Sequence, residues 1–250
     1  MRMNSAPEVW VVIPTYNEHP NIERLIYAVH AAVPDATVLI LDDHSPDGTA
    51  DTARRAAEVI ERVHVIDRPK KLGLGAAYRH GFRHALDAGA EIIVQMDADF
   101  SHDPAVIPAL VAAVVAGADV AIGSRYVSGG TTPDWPKRRQ WLSRYGNAYA
   151  RWMLRIAAKD TTAGFRAYRA GILQDIDVDA TQTNGYGFQI ETGFLLTRQE
   201  ANIVEFPIVF RDRTEGDSKM SVNIMSETLR LVTRWGIRLR LGKSVPERNS

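Results

Sequence analysis

The feature that most constrains this chain is a set of short apolar, β-branched runs that each stop abruptly at polar or charged residues. Val9 to Ile13 runs into Pro14-Thr15-Tyr16-Asn17-Glu18, Thr37 to Leu41 into Asp42-Asp43, and Glu91 to Met96 into Asp97-Ala98-Asp99. Runs of this length with almost no polar alternation predict strands covered on both faces. Residues of helical spacing lie between them. Asn21 to Val33 carries Ile22, Leu25, Ile26 and Val29 on one stripe, and further helices are predicted over Thr49 to Ile60, Gly73 to Ala88 and Pro104 to Ala116. Additional strands are predicted at His64 to Ile66 and Asp119 to Ile122. The βαβα alternation predicts an α/β fold with a mainly parallel central sheet and helices on both faces. In such sheets ligands bind beyond the carboxyl ends of the strands, so the residues that follow each run are the candidates for chemistry.

Composition narrows the function classes. With 45% apolar and 24% charged residues over 250 positions, the chain has the makeup of an ordinary globular protein. The absence of cysteine excludes disulfides, thiolate zinc sites and a cysteine nucleophile, and fits a reducing compartment. No run approaches the roughly 20 apolar residues of a membrane span, and the N-terminus lacks the apolar core of a secretory signal. Lysine plus arginine balance aspartate plus glutamate at 30 each, so no global field draws nucleic acid. Locally the balance shifts. Ser124 to Arg155 carries an excess of six positive charges and Thr228 to Ser250 an excess of five, which predicts anion binding by the second half.

That half is predicted to contain a long helix with Trp141, Tyr145, Tyr149, Trp152 and Ile156 on one face. A short strand is expected at Phe165 to Tyr168, a helix near Phe188 to Arg198, a strand at Ile203 to Val209 and a last helix from Ser221 onward. The last helix would place Met225, Leu229, Val232 and Leu239 on one face and Arg230, Arg234, Arg238 and Arg240 around the rest. This basic amphipathic pattern suits an anionic membrane surface or a partner's membrane helices, and equally suits packing on the domain. The simplest division is one domain over residues 1–220 with a basic amphipathic helix and tail over 221–250.

Several constellations carry chemistry. Asp97 and Asp99 are alternate residues after a buried run and can hold a hard divalent cation together with phosphate oxygens; two solvated turn acids are the bland alternative. Asp42 and Asp43 end another strand and suit ribose hydroxyls or a base amine, whereas Pro46-Asp47-Gly48-Thr49 reads as a turn and helix cap. After Ile122, Gly123-Ser124-Arg125 places a cation at a further strand end. The loop Arg211 to Lys219 could fold Arg213 and Lys219 over a bound phosphate. Gly73-Leu74-Gly75 has tyrosine where a third glycine of a dinucleotide fingerprint belongs, and no P-loop or hydrolase elbow occurs. His102 reads as structural or capping.

Taken in order, PTYNE (Pro14 to Glu18), DDHSPDGT (Asp42 to Thr49), KKLGLGAAY (Lys70 to Tyr78), MDADFSHDP (Met96 to Pro104), GSRY (Gly123 to Tyr126), TTAGFRAYR (Thr161 to Arg169), GYGFQIE (Gly185 to Glu191) and FRDRTEGDSKMS (Phe210 to Ser221) resemble the glycosyltransferase family 2 enzymes. Among these they are most similar to the dolichol-phosphate mannosyltransferases, or polyprenol monophosphomannose synthases. The resemblance implies a GT-A fold and inverting transfer of mannose from GDP-mannose to a polyprenyl phosphate. It implies nucleotide contacts from Pro14, Tyr16, Glu18, Leu41 and Asp43, and Mg2+ or Mn2+ held by Asp97 and Asp99 with Ala98 contributing backbone. Arg125, Arg213 and Lys219 would hold donor and acceptor phosphates, with Arg139 and Ser143 on the acceptor side. Asp99, Arg125, Arg213 and Lys219 form the implied catalytic set. Ser101 stands where some relatives carry glutamine, so coordination from that position is not expected. The expected location is the cytoplasmic face of a membrane, attached through the last helix, the lipid or a separate membrane protein. A UDP-glucose donor, or a non-catalytic nucleotide-sugar-binding scaffold, is the alternative.

Overall fold

Each apolar run of the first half becomes a strand: β1 is Val9–Thr15, β2 Thr37–Asp42, β3 Val63–Asp67, β4 Ile92–Gln95 and β5 Val120–Ser124. The computed structural model describes residues 6–185, 187–212, 222–243 and 245, and at 222–225 and 227 the backbone alone. Four helices alternate with these strands, α1 at His19–Ala32, α2 at Thr49–Val59, α3 at Leu74–Asp87 and α4 at Ile107–Val115. The helix predicted from Pro104 is split, because Pro108 has no N–H to complete an α-helical ladder from that start. Pro104–Val106 forms a 3-10 turn instead, capped by Asp103, whose carboxylate accepts from the Ala105 N–H at 2.9 Å.

The second half supplies α5 at Lys137–Leu154, β6 at Arg166–Arg169, α6 at Ala170–Asp175, α7 at Gly187–Arg198, β7 at Ile203–Pro207 and α8 at Val222–Arg240. Among these, α6 was not anticipated. It spans six residues and buries Ile172 and Leu173, too little for a helical period to show in sequence.

The sheet order is β3-β2-β1-β4-β6-β5-β7. All neighbours are parallel except β6, which runs antiparallel to both β4 and β5. This one reversal matters for the site. A strand that runs against its neighbours begins at the edge where they end, so residues 160–165 arrive at the rim where β4 and β5 release their candidate residues. The Gly123 N–H donating to the Phe165 carbonyl at 2.9 Å ties that lead-in to the end of β5.

Alternation along the strands sorts the core into two layers. Trp10 and Val12 of β1 face a cluster containing Tyr78, Phe82, Phe188, Phe194 and Trp235, whereas Val11 and Ile13 face Ile22, Leu25, Ile26, Ala53 and Leu110 on the other side. Helix α8 joins the first layer through Val232 and Trp235, the latter 6.1 Å from the Phe194 ring. Its predicted apolar face is divided: Val232 is buried, Leu239 packs against the core at partial exposure, and Leu229 is 55% exposed. Ile237 and Leu241 are exposed with it, while the Met225 side chain lies outside the described residues. Helix α8 packs on α5 and, through Trp235, on α7, and among the described residues Leu229, Ile237 and Leu241 remain exposed.

Helix α5 departs further from the expected face. Trp141, Tyr145 and Trp152 are each more than half exposed and Tyr149 is partly buried. Arg155 adopts a left-handed φ of 56°, which ends the helix, so Ile156 is off the helix and in the core.

Candidate active site

At the end of β1 and β2, register fixes which residues meet. Pro14 lies opposite Leu41 and Thr15 opposite Asp42. The Leu41 side chain is buried in the core, so any nucleotide contact from this position is through its backbone. Asp42 is consumed locally: Thr15 Oγ1 donates to it at 2.9 Å, and the Ser45 N–H and hydroxyl donate at 2.7 and 2.6 Å. The sequence reading of two adjacent ligand-facing acids is therefore corrected to one, because a carboxylate with three local donors is the brace of a turn. Asp47 serves the same loop, accepting from the N–H groups of Thr49 and His19, while the N-cap of α2 is Gly48 and not the predicted Asp47 or Thr49.

Asp43 is different. It forms a buried ion pair with Arg68, which follows β3. Burial raises its pKa more than the neighbouring Arg68 and Lys71 lower it. Beside it, Lys71 Nζ lies 3.7 Å from the centre of the Tyr16 ring. Glu18 is buried, with its N–H donating to Thr49 Oγ1 at 3.0 Å and its carboxylate accepting from Asn21 at 3.1 Å. Arg68 and Lys71 were not among the predicted site residues. The strand-end rule applied to β3 would have found Arg68.

At the end of β4 the chain bends through Ala98 to Phe100, and Phe100 takes a left-handed φ of 58°. Asp97 accepts from the Tyr78 hydroxyl at 3.1 Å, and Asp99 from the Ser101 N–H at 3.1 Å. Burial holds the Tyr78 pKa well above that of a free phenol, with Asp97 adding to the effect, so Tyr78 remains a donor. The GYGFQIE and KKLGLGAAY segments support this arrangement from behind. Phe188 stacks on Tyr78 at 5.9 Å, and the Gly75 N–H donates to the Asn184 carbonyl at 3.0 Å. A Cβ at Gly75 would collide with the Thr183 carbonyl, so this glycine serves close packing and not a dinucleotide. His102 is buried, stacked on Phe165 at 5.0 Å, and its Nδ1 accepts from the Asp97 N–H at 3.1 Å. Burial lowers its pKa against the pull of Asp97 and Asp99, which gives a neutral structural ring. Gly164, from the lead-in to β6, comes close enough that a Cβ there would sit 3.4 Å from an Asp97 oxygen.

At the end of β5, Arg125 is nine-tenths buried and bound to Asp160, a residue absent from the sequence reading. Its backbone N–H, Nε and Nη2 all donate to that carboxylate at 2.9, 2.8 and 2.7 Å, and Nη2 also donates to Thr162 Oγ1 at 2.7 Å. Burial pushes the Asp160 pKa up, but the Arg125 charge and hydrogen bonds outweigh it and hold the carboxyl below its usual range. The Arg125 guanidinium carbon lies 5.5 Å from the Trp135 ring centre, and that of Arg139 lies 4.1 Å from the same ring. Arg139 also pairs with Asp212 at 2.9 Å. Ser143, one turn further along α5, accepts from the Tyr126 hydroxyl at 2.6 Å. The structure thus gathers Arg125, Arg139 and Ser143 around Trp135 and Tyr126. Arg213 and Lys219 lie outside the described residues.

The Asp97 and Asp99 carboxylates that follow β4 are hard oxygen donors, a chemistry that suits a divalent ion. Among the described residues no cluster of three or more His, Asp or Glu side chains exists that could hold a metal by itself. A nucleotide's phosphate oxygens would complete such a site.

With this geometry in place, comparison with known proteins assigns the class. Residues 10–177 match the family described as Glycosyl transferase family 2. The chain is 46% identical over 235 residues to the polyprenol monophosphomannose synthase of Mycolicibacterium smegmatis, covering 94% of this chain and 89% of that protein. It is 47% identical over 232 residues to the undecaprenyl-phosphate mannosyltransferase of Micrococcus luteus, covering 93% and 95%. It is 36% identical over 231 residues to the dolichol-phosphate mannosyltransferase of Pyrococcus furiosus, covering 91% of this chain and 63% of that longer protein. A crystal structure of glucosyl-3-phosphoglycerate synthase from Mycobacterium tuberculosis, with Mn2+, UDP-glucose and glycerol 3-phosphate, superposes with a TM-score of 0.64 at 20% identity, covering 96% of this chain and 82% of that one. The chain belongs to glycosyl transferase family 2 and has the GT-A fold.

Proposed function

We propose that this protein is an inverting glycosyltransferase that moves mannose from GDP-mannose to a polyprenyl phosphate. The observation that carries the reading is the meeting, on one rim of the sheet, of the Asp97 and Asp99 carboxylates with the Arg125, Arg139 and Ser143 cluster, bridged by the lead-in to β6. The mannosyltransferases named above support the mannosyl donor and the lipid phosphate acceptor.

In this reading Asp43 accepts from donor groups of the base or ribose, with Tyr16, Glu18 and the backbone of Leu41 and Ala98 around the nucleotide. Asp97 and Asp99 would hold a divalent ion, which would supply positive charge against the departing diphosphate. Arg125, Arg139 and Ser143 hold the acceptor phosphate, whose oxygen forms the new bond to the sugar's anomeric carbon as the bond to the leaving diphosphate breaks. With a second pKa near about 6, a phosphate monoester is already largely dianionic at neutral pH, so no side chain need act as base. The arginines offset the repulsion between two phosphorylated substrates. Arg213 and Lys219 are assigned to the same phosphates.

No helix among the described residues is long and apolar enough to cross a membrane. Contact with the bilayer that carries the acceptor is assigned to the exposed Trp141, Leu142, Tyr145 and Trp152 of α5 and to Leu229 and Ile237 of α8, flanked by Arg230, Arg234 and Arg238. Tryptophan, tyrosine and arginine in this mixture suit the headgroup region at the cytoplasmic face. A separate membrane protein could share that contact.

The test supplies purified protein with labelled GDP-mannose or UDP-glucose, Mg2+ or Mn2+, and a short prenyl phosphate, and measures label extracted into organic solvent. Mannose from GDP-mannose should dominate, and Asp99→Ala should lower it by on the order of a thousandfold. A preference for UDP-glucose, or full activity in Asp99→Ala, overturns the reading.

A further inference from the structure

Asp160 is fully buried, and its carboxylate accepts from three donors of Arg125 and, at 3.5 Å, from the Thr162 hydroxyl. The segment that carries it is anchored on two sides. Glu205 of β7 accepts from the N–H groups of Lys159 and Asp160 at 2.7 and 3.0 Å. Asn147 of α5 accepts from the N–H and hydroxyl of Thr161 at 2.8 Å each and donates to the Ser143 carbonyl at 3.0 Å. Thr162 receives the Arg125 Nη2 at 2.7 Å and lies 3.4 Å from the Asn147 amide nitrogen. One network therefore joins Asp160 to Arg125 on β5 and to the turn of α5 that bears Ser143.

A buried ion pair contributes little net stability over an apolar pair of similar volume, because both charges lose their water. What it supplies here is orientation. Asp160 and Thr162 grip the Nε–Nη2 edge of the guanidinium and leave the group beside the Trp135 ring that Arg139 also covers. An unrestrained arginine would surrender its rotamer freedom when phosphate arrives, whereas a clamped one has already done so on folding.

We infer that Asp160 is a positioning residue for the acceptor phosphate: it fixes the Arg125 guanidinium beside the Trp135 ring that Arg139, paired with Asp212, also covers, so that a prenyl phosphate meets guanidinium donors already in place. The inference rests on the acceptor assignment proposed above. Asp160 touches no substrate in this scheme. It carries the same charge in Asp160→Glu, but the extra methylene displaces the guanidinium, so placement and charge can be separated.

The experiment measures citronellyl phosphate and GDP binding by calorimetry, mannosyl transfer kinetics, and thermal midpoint, for the wild type, Asp160→Asn, Asp160→Glu and Thr162→Val. Expected are a loss of prenyl phosphate affinity and a rise in acceptor KM of roughly tenfold or more in both Asp160 variants, with GDP affinity unchanged. Thr162→Val, which keeps the ion pair, should show a severalfold change in the same direction with its thermal midpoint retained. Unchanged acceptor affinity in Thr162→Val and either folded Asp160 variant overturns the inference, as does an equal loss of GDP and acceptor binding, which marks a merely structural role. Wild type that binds citronellyl phosphate but transfers no mannose overturns the function proposed above while leaving the affinity comparison decisive. Wild type that fails to bind it overturns both.

Discussion

Two buried ion pairs stand at opposite ends of the same catalytic rim with their polarity reversed. In the proposed function the acid Asp43 faces substrate at the β2 and β3 ends with Arg68 as its support, and Arg125 faces substrate at the β5 end with Asp160 as its support. In each pair the supporting member is the more deeply buried, Arg68 at 5% side-chain exposure against 8% for Asp43, and Asp160 at 0% against 9% for Arg125. The difference in polarity follows substrate chemistry. A base and a ribose present hydrogen-bond donors, which an acid receives, and a phosphate presents acceptors, which a guanidinium meets. Electrostatics diverges accordingly. Burial wins over Arg68 and leaves the Asp43 pKa raised, whereas Arg125 wins over burial and leaves that of Asp160 lowered.

The comparison can be broken most directly at Arg125. Arg125→Met should lower transfer by roughly a hundredfold at subsaturating acceptor while GDP affinity stays within about twofold, read by paired kinetics and calorimetry. Loss of GDP binding of the same size would erase the division of labour between the pairs. Asp43→Asn should do the converse, weakening GDP by roughly tenfold with acceptor KM unchanged. Arg68→Met should weaken GDP by a smaller, severalfold factor, because it removes the cation that holds the Asp43 carboxylate in place and that lowers its pKa.

The smallest effect is one of pH, and its sign differs between the pairs. Asp43 has a raised folded-state pKa, so the folded chain binds its proton more readily than the unfolded one, and the stability this gives at low pH is lost as pH rises through that raised value. Asp160 has a lowered folded-state pKa, so its contribution is fully present above the usual carboxylate range and is lost as pH falls through the lowered value. On acidification from about pH 7, GDP affinity should therefore begin to fall before an unperturbed carboxylate near about 3.9 would titrate, while the Arg125 pair stays intact. Asp43 faces Arg68, Asp42 and Lys71, and Asp43→Asn should flatten this pH dependence in calorimetry across the same range.

The strand-end positions of Asp43 and Arg125 were legible in the sequence because each follows a buried strand of recognisable pattern. Their supports were not, for two different reasons. Arg68 follows β3, a strand whose half-buried residues give only a short apolar signal. Asp160 directly precedes the TTAGFRAYR segment and reads there as an ordinary loop acid; seeing its role requires knowing that β6 runs backwards, which depends on pairing between distant residues. Asp42 shows the opposite failure. It sits at a strand end and looks like a ligand group, but Thr15 and Ser45 take it up, and nothing in spacing distinguishes a turn brace from a substrate contact. The parallel scaffold, the helices between strands and the Asp97-x-Asp99 position followed from local periodicity. The exposed aromatic face of α5 did not, since a helical stripe has the same spacing whether it points inward or out.

The reversed strand β6 also sets where this architecture can absorb evolutionary insertions and deletions. Adding or removing one residue between Asp160 and Phe165 would slide β6 against both neighbours and exchange the sides to which its residues project, uncoupling Gly164 from Asp97 and Asp160 from Arg125 together. The turns at Gly89 and Gly117, which have open space around them, carry no such double burden. Length variation should therefore gather at those turns, while the six-residue span before β6 keeps a fixed length even where its composition drifts.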